Sequence, residues 1–189
     1  MRKLVIVAAL AAAALLAVVA TTALANRGGG GHGNNSFGAQ LNGYNEVVGG
    51  PGSSSTGSVS TTGHGTLRLR IFSDHLHYVL DYSDMSGGTV CCSHIHFAQA
   101  HVSGGVSAFL CGGGSKPACT TPNGHFEGDI VASDVIGPTD QGIAAGELNE
   151  LVAAIRAGAT YANVHTTPLY PEGEIRGQIV HGHGHGHGH

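Results

Sequence analysis

The stretch Cys91-Cys92-Ser93-His94-Ile95-His96-Phe97 has the period-two alternation of polar and apolar residues that is typical of a β-strand. In a strand, successive side chains point to opposite faces, so Cys92, His94 and His96 are predicted to share one face. Short apolar stretches, separated by glycine, asparagine, serine or aspartate, continue this pattern from residue 37 to residue 180. The chain is therefore predicted to fold as an antiparallel all-β domain.

The number and spacing of the predicted strands indicate a β-sandwich of Greek-key-like architecture, similar to superoxide dismutase or immunoglobulin domains. The strands are predicted at 37–41, 58–72, 75–82, 89–97, 106–111, 125–131, 160–166 and 174–180. One segment, 147–157, departs from period two, because its apolar residues recur at helical spacing and Gly158 follows as a stop signal. We expect a short helix there, crossing one end of the sandwich.

Three motifs occur in a fixed order along this region. They are Ala39-Gln40-Leu41-Asn42-Gly43-Tyr44-Asn45-Glu46-Val47, then His94-Ile95-His96, and finally the run from Tyr161-Ala162-Asn163-Val164-His165-Thr166 to Gly173-Glu174-Ile175-Arg176-Gly177-Gln178-Ile179. In this order they resemble the recurring motifs of the CHRD (chordin-type) domain. The resemblance implies a CHRD domain at 37–180 in an exported single-domain protein, acting as a non-enzymatic binding module toward another protein or a cell-surface polymer.

The two ends of the chain differ in composition from the domain. Residues 1–25 combine a basic start, an apolar run and the small-residue exit Ala23-Leu24-Ala25, which predicts a cleaved signal peptide and a secreted or periplasmic product. The alternative is an uncleaved membrane anchor. A glycine-rich linker is predicted at 26–36 and a separate tail at 181–189. Once cleavage has removed the signal peptide, the protein is expected to have no further contact with the membrane.

Charge and missing motifs exclude several function classes. The formal net charge is −4 and becomes −6 when Arg2 and Lys3 leave with the signal peptide, and the basic residues are scattered, so nucleic acid is not an expected partner. There is no G-x-S-x-G, H-E-x-x-H or G-K-[ST] motif, which removes common hydrolase and nucleotide-binding signatures. The protein is predicted to have no enzymatic activity. No cofactor is assigned beyond the candidate metal ions copper, zinc and nickel.

The chain has four cysteines, which an oxidising compartment allows to pair. Cys111 and Cys119 flank a turn-rich loop whose ends can meet, so this pairing is favoured. Cys91 and Cys92 are adjacent, which is awkward geometry for an ordinary disulfide. One of them can pair across strands, or both can remain thiols.

Histidines supply the candidate ligands for a divalent metal ion. His94, His96 and Cys92 share a predicted strand face, and His165 from another strand can join them if the two strands are neighbours. Such a group suits zinc or copper. The alternative is that His94, His96 and His165 are hydrogen-bonded structural residues. The H-x-H strand is similar to that of copper-zinc superoxide dismutase, but no counterpart of that enzyme's remaining ligands was found, and a fold analogy does not establish function.

The tail is a second candidate for binding copper, nickel or zinc. It alternates glycine with five histidines, which are His181, His183, His185, His187 and His189. Histidine-rich tracts bind divalent metals through neutral imidazole, so binding should weaken near pH 6.5 as the rings gain protons. An engineered tag or a solubilising tail are the alternatives. The similar composition of Gly28-Gly29-Gly30-Gly31-His32-Gly33 favours a natural tail.

Overall fold

The computed structural model describes residues 35–49 and 57–182. The predicted signal peptide at 1–25, most of the predicted linker at 26–36, and the tail histidines from His183 to His189 lie outside the described residues. Within the described residues, no helix is long and apolar enough to cross a membrane.

The described chain is nearly all β-structure, with one short helix. The strands are β1 Ser36–Asn42, β2 His64–Ile71, β3 Leu76–Ser83, β4 Gly88–Phe97, β5 Gly105–Cys111, β6 Gly124–Ile130, β7 Thr160–Pro168, β8 Tyr170–Gln178 and β9 Val180–His181. The helix is α1, Leu148–Arg156. All pairings are antiparallel, in the order β5-β4-β7-β8-β1-β2-β3-β6 with β9 on β1. This one sheet curls into a nearly closed, sandwich-like barrel, which confirms the predicted all-β fold.

Two strands begin four or more residues away from their predicted starts, and the other boundaries lie within two residues of the prediction. The predicted strand 58–72 begins only at His64, because the backbone N–H of Val59 donates to Gly43 O and ties the preceding segment to a loop. The last predicted strand, 174–180, is divided between β8 and β9, and β8 begins four residues earlier, at Tyr170, opposite Thr166. The first difference arises from a loop contact and the second from the pairing of β8 with β7, and alternation encodes neither.

The hydrophobic core lies inside the curled sheet. Strand β3 shows the pattern most clearly, since Leu76, Tyr78, Leu80 and Tyr82 are buried and the residues between them are half-exposed. Burying an aliphatic or aromatic side chain of this size contributes about 1.5–3 kcal/mol. Helix α1 adds Leu151, Ala154 and Ile155 to the same core, so its apolar stripe faces the protein interior.

Helix α1 ends as its sequence predicts. Gly158, two residues beyond Arg156, has a φ of 68° and donates its N–H to Ile155 O. A positive φ of this kind favours glycine after the last helical turn. The predicted helix at 147–157 is thereby confirmed to within a residue at each end.

Candidate metal centre

The β4–β7 pairing brings the predicted site residues onto one face of the sheet. In the register, Cys92 lies opposite His165, His94 opposite Asn163, and His96 opposite Tyr161. Residues directly opposite each other in antiparallel strands project to the same face. Ile95, one of the residues between them, points into the core and is fully buried. The site therefore forms on the side of β4 and β7 that faces away from the hydrophobic core.

Polar loops cover this face and bury the three histidines. His94, His96 and His165 are each only 7% exposed. Gln99, Val102 and Gly104, in the segment between β4 and β5, supply backbone carbonyls at this face. The result is a second, polar layer in which every donor and acceptor needs a partner.

Three ligand-type side chains converge within this layer. One metal-ligating atom from each of Cys92, His94 and His165 lies within 4.8 Å of the others. Nδ1 of His165 lies 3.0 Å from Pro171 O, so this nitrogen carries the proton and Nε2 presents a lone pair. Nε2 of His165 lies 3.1 Å from Nδ1 of His94. The cluster thus holds two imidazoles and a thiol in a small volume.

His96 lies beside this group of three. Its ring centroid is 5.3 Å from that of His94 and 6.0 Å from that of His165. Nδ1 donates a 2.9 Å hydrogen bond to Gly104 O, which leaves the lone pair on Nε2. That Nε2 is buried and makes no hydrogen bond to the described part of the chain. His96 is therefore a neutral imidazole with an unused buried acceptor.

A stack of planar groups fixes His96 in place. Its ring is parallel to that of Tyr161 at 4.7 Å, and the Arg176 guanidinium carbon lies 3.3 Å from the Tyr161 centroid. The guanidinium also donates to Gln99 O and Val102 O at 3.1 and 2.8 Å. Arg176 thus ties β8 to the loop that also holds Nδ1 of His96.

Asn163 completes the polar layer. Its Oδ1 lies 2.9 Å from Nε2 of His165, so two atoms that carry lone pairs face each other. On its other side, Nδ2 of Asn163 and Oε2 of Glu46 lie 3.0 and 2.2 Å from the position of a Cβ built on Gly173, so the amide nitrogen is on the side of the carboxylate. Burial raises the pKa of Glu46 above its ordinary value, and the Val47 N–H, Arg176 and Asn163 oppose that rise. This contact leaves the amide oxygen directed at the cluster.

Electrostatics keep the imidazoles neutral. Burial, together with the neighbouring His165 and His96, lowers the pKa of His94 to about 3. Burial also lowers the pKa of His96 to about 4, and that of His165 falls for the same reason. For Cys92, burial and the adjacent Cys91 thiol raise the pKa to about 12. Near neutral pH the histidines are ready to bind a cation, whereas Cys92 must release a proton to do so.

A β-bulge shapes the cysteine end of the cluster. Val90 pairs with Thr166 and Cys92 with His165, so Cys91 is an extra residue without an opposite partner on β7. The bulge overrides the alternation that predicts Cys91 and Cys92 on opposite faces. Their Sγ atoms lie 3.3 Å apart as free thiols. Cys91 is exposed and Cys92 is half-buried, so the thiols form the solvent-facing side of the site.

The other two cysteines form the predicted Cys111–Cys119 disulfide, with Cα atoms 5.2 Å apart. Gly112, next to this bridge, packs directly on the bulge: a Cβ built there would lie 2.1 Å from Cys91 O. Tail residue His181 lies in β9 and contacts the Phe37 ring at 4.3 Å, well away from β4 and β7 in the strand order. The other tail histidines lie outside the described residues.

Two side chains of the site were not singled out from the sequence, although the alternation of β7 could have identified them. Asn163 and Tyr161 lie two and four residues before His165, so period two already places them on its face. The bulge at Cys91 has no comparable signal in the sequence.

Comparison with curated proteins and with solved structures finds no match. A protein-family model, that of the CHRD domain, matches residues 37–179. This region contains the whole of the β4–β7 site and all the strands from β2 to β8. The match covers most of the chain, and the chain therefore belongs to the CHRD domain family.

Proposed function

We propose that this protein is an exported, non-enzymatic binding module whose CHRD domain holds one copper or zinc ion on Cys92, His94 and His165. The observation that carries the proposal is the convergence of these three side chains on the polar face of β4 and β7. One thiolate with two imidazoles is a ligand set that both zinc and copper accept.

The spacing of the two imidazoles fits a shared metal ion. Two nitrogens bound to one tetrahedral zinc at 2.0–2.1 Å are separated by about 3.3 Å. Nδ1 of His94 and Nε2 of His165 are 3.1 Å apart, so only a small displacement is needed. The remaining position can be taken by water or by a neighbouring donor such as Asn163 or His96.

The hydrogen bonds around the cluster support the same conclusion. Metal-binding histidines usually donate their second ring N–H to a carbonyl, which fixes the tautomer and the ring orientation. His165 does this to Pro171 O and His96 does it to Gly104 O. Both rings therefore keep Nε2 unprotonated within a buried layer.

If the histidines bond only to one another, the cluster has more hydrogen-bond acceptors than donors. Neutral His94 can donate one proton from Nδ1 to Nε2 of His165. That proton supplies no hydrogen bond to Oδ1 of Asn163, which faces the same Nε2, or to the buried Nε2 of His96. Buried acceptors without donors destabilise a fold by about 1–3 kcal/mol each, and a bound cation would relieve this cost.

Three features support export. Residues 1–25 have the pattern of a signal peptide, Cys111 and Cys119 form a disulfide, and CHRD domains occur in extracellular proteins. In such a setting, the histidine-rich tail at 181–189 can deliver metal ions to the folded site or hold them nearby.

A protein or cell-surface polymer is proposed as a second kind of partner. A groove of about 490 Å³ is lined by Val48, Val59, Tyr170 and Leu169, and Leu169 is 63% exposed. An exposed apolar side chain beside a groove suits such a partner. Leu169→Asp should abolish the protein's retention on cell-surface fractions of its host and should leave metal binding unchanged. Equal retention of the parent chain and the variant would refute this role.

The metal proposal is tested by calorimetric titration with zinc. The tail must be silenced without removing β9, because Val180 and His181 pair with β1. We therefore use the exported chain with all five tail histidines replaced by asparagine, called the tail-silent chain below. One saturable event with one zinc per chain is expected. The absence of any binding would show that His94, His96 and His165 are structural.

A further inference from the structure

The bulge in β4 places two thiols side by side where a regular strand would separate them. Adjacent residues of a strand point to opposite faces, yet the Sγ atoms of Cys91 and Cys92 are 3.3 Å apart. Bulges commonly re-aim a side chain beside a functional site. Cys92 belongs to the proposed metal centre, whereas Cys91 is not one of its ligands.

We propose that Cys91 and Cys92 close to a vicinal disulfide, and that this closure removes the thiolate ligand and releases the metal ion. The inference rests on the proposed metal site and adds its regulation. Cys91 is thereby the redox partner of a metal ligand, and the protein binds metal in its dithiol state.

The surroundings of Cys91 leave it free to react. Its residue is exposed and is not paired with β7. Its thiol contacts Cys92 Sγ and donates a weak 3.6 Å hydrogen bond to His165 O. An exposed thiol is accessible to oxidant, whereas the half-buried Cys92 is reached through it.

The reaction balances with a small disulfide such as oxidised glutathione as the oxidant. The Cys91 thiolate attacks one sulfur of the oxidant. One half of the oxidant stays on Cys91 as a mixed disulfide, and the other half leaves as a small thiol. The Cys92 sulfur then attacks Cys91 Sγ and releases the second small thiol. The protein loses two protons and two electrons, and the oxidant takes them up and is reduced to two thiols.

Chain geometry makes the closed form easy to reverse. Consecutive Cα atoms are 3.8 Å apart across a trans peptide, below the 4.4–6.8 Å of ordinary disulfides. A disulfide under such constraint is more readily reduced and belongs to the labile, regulatory class. The Cys111–Cys119 bridge, with Cα atoms 5.2 Å apart, lies within the ordinary range and is a structural bridge by comparison.

The backbone is held in the shape that this chemistry needs. Gly112 has a φ of 76°, and a Cβ built there would lie 2.1 Å from Cys91 O and 2.8 Å from the Cys92 Cα. Only glycine permits that approach, so the residue that follows β5 supports the bulge from one side. His165 supports it from the other, through the carbonyl that accepts from Cys91.

The experiment compares two redox states of the tail-silent chain. One sample is reduced mildly and one is treated with oxidised glutathione, both without metal. Intact mass and alkylation with peptide mapping identify the state of Cys91 and Cys92, and calorimetry then measures zinc binding. Cys91→Ser is the control, measured on protein whose mass shows no glutathione adduct.

Closure should remove two alkylatable thiols without adding a glutathione mass. It should also weaken zinc binding by about tenfold or more, because even the loss of a residue that only orients a metal ligand lowers metal affinity by 10–100-fold. Zinc added before the oxidant should hold Cys92 as a ligand and so prevent closure, and Cys91 should then carry at most a glutathione adduct, which intact mass detects. Cys91→Ser should bind zinc equally well before and after treatment. Failure of the pair to close, or closure with unchanged affinity, overturns this inference. Absence of zinc binding in the reduced sample overturns the metal site itself, and the alkylation result still reports separately whether the pair closes.

Discussion

Nε2 of His165 lies 3.1 Å from Nδ1 of His94, although 71 positions separate the two residues in the chain. The contact exists because β4 and β7 pair directly and the bulge at Cys91 shifts their register by one residue. Neither ring is positively charged near neutral pH, since burial lowers the pKa of both. Two buried neutral imidazoles at this distance are the central element of the proposed metal centre.

Replacing either imidazole should weaken zinc binding to the tail-silent chain. We expect His94→Asn and His165→Asn each to lower the zinc affinity at least about 100-fold. A side chain bound directly to the metal contributes more to affinity than a residue that only orients it. The matched control is His77→Asn, a histidine of β3 that contacts Glu127 and Asp129 on a different part of the surface. Calorimetric titration measures all three, and an equal affinity for all of them would contradict the assignment.

A glycine pair tests whether the bulge shapes the site. Gly112 and Gly114 both have positive φ, 76° and 59°, so alanine strains the backbone similarly at each. Only at Gly112 would the added methyl group collide with Cys91 O, since the one atom near Gly114 is a Phe109 ring carbon at 3.6 Å. Gly112→Ala should therefore weaken zinc binding by an order of magnitude, and Gly114→Ala should not. Equal effects would mean that the bulge is irrelevant to metal binding.

The metal-free protein should lose stability in acid through its buried histidines. Their pKa values lie below the ordinary 6.5, at about 3 for His94 and about 4 for His96. Between these values and pH 6.5 the unfolded chain binds protons that the folded chain does not, so the free energy of unfolding falls as the pH falls. Each histidine that titrates contributes about 1.4 kcal/mol per pH unit.

Urea denaturation in a chelator, at pH 7 and at pH 5, measures this effect. His94→Gln should lose less stability between the two pH values than the parent chain does, because one of the buried titrating groups is gone. The same loss in both proteins would show that His94 is not buried in its neutral form.

Glu174 is predicted to anchor the fold rather than to pair with a basic residue. Its buried carboxylate accepts from the N–H groups of Ser86 and Gly87 at 2.8 and 3.0 Å, and from the hydroxyl groups of Thr166 and Thr61. Burial raises the pKa of Glu174, but these donors outweigh it and hold the pKa below its ordinary value. The carboxylate therefore stabilises the fold above the ordinary pKa of 4.5, and this contribution is lost as the pH falls.

Glu174→Gln should destabilise the protein by about 2–4 kcal/mol at pH 7, since an amide nitrogen cannot accept from these donors. Glu150→Gln, at an exposed position of α1, is the control and should change the free energy of unfolding by less than about 0.5 kcal/mol. Thermal or urea denaturation measures both. A small effect at Glu174 would show that the network contributes little.

The alternation of residues was sufficient to predict the strands and the shared face of Cys92, His94 and His96. The helix was equally predictable, because Leu151 and Ile155 recur at helical spacing and Gly158 ends the segment. These features depend on local backbone geometry, which a short stretch of sequence records directly.

The parts that were not predictable depend on distant contacts. The bulge at Cys91 is supported by Gly112, and Glu174 finds its donors 87 and 88 positions away, at Gly87 and Ser86. The pairing of β4 with β7 crosses more than sixty residues of intervening chain. No local pattern reports such contacts, so the ligand group of three could be proposed from the sequence but its geometry could not.

The most direct test of the metal centre is the absorption spectrum of the tail-silent chain with cobalt(II), a spectroscopic substitute for zinc. We predict tetrahedral ligand-field bands and a thiolate-to-cobalt charge-transfer band that saturate at one cobalt per chain, and we predict that the charge-transfer band disappears in Cys92→Ser. A spectrum of hexa-aqua cobalt alone, or a charge-transfer band that survives in Cys92→Ser, would contradict a site built on Cys92, His94 and His165.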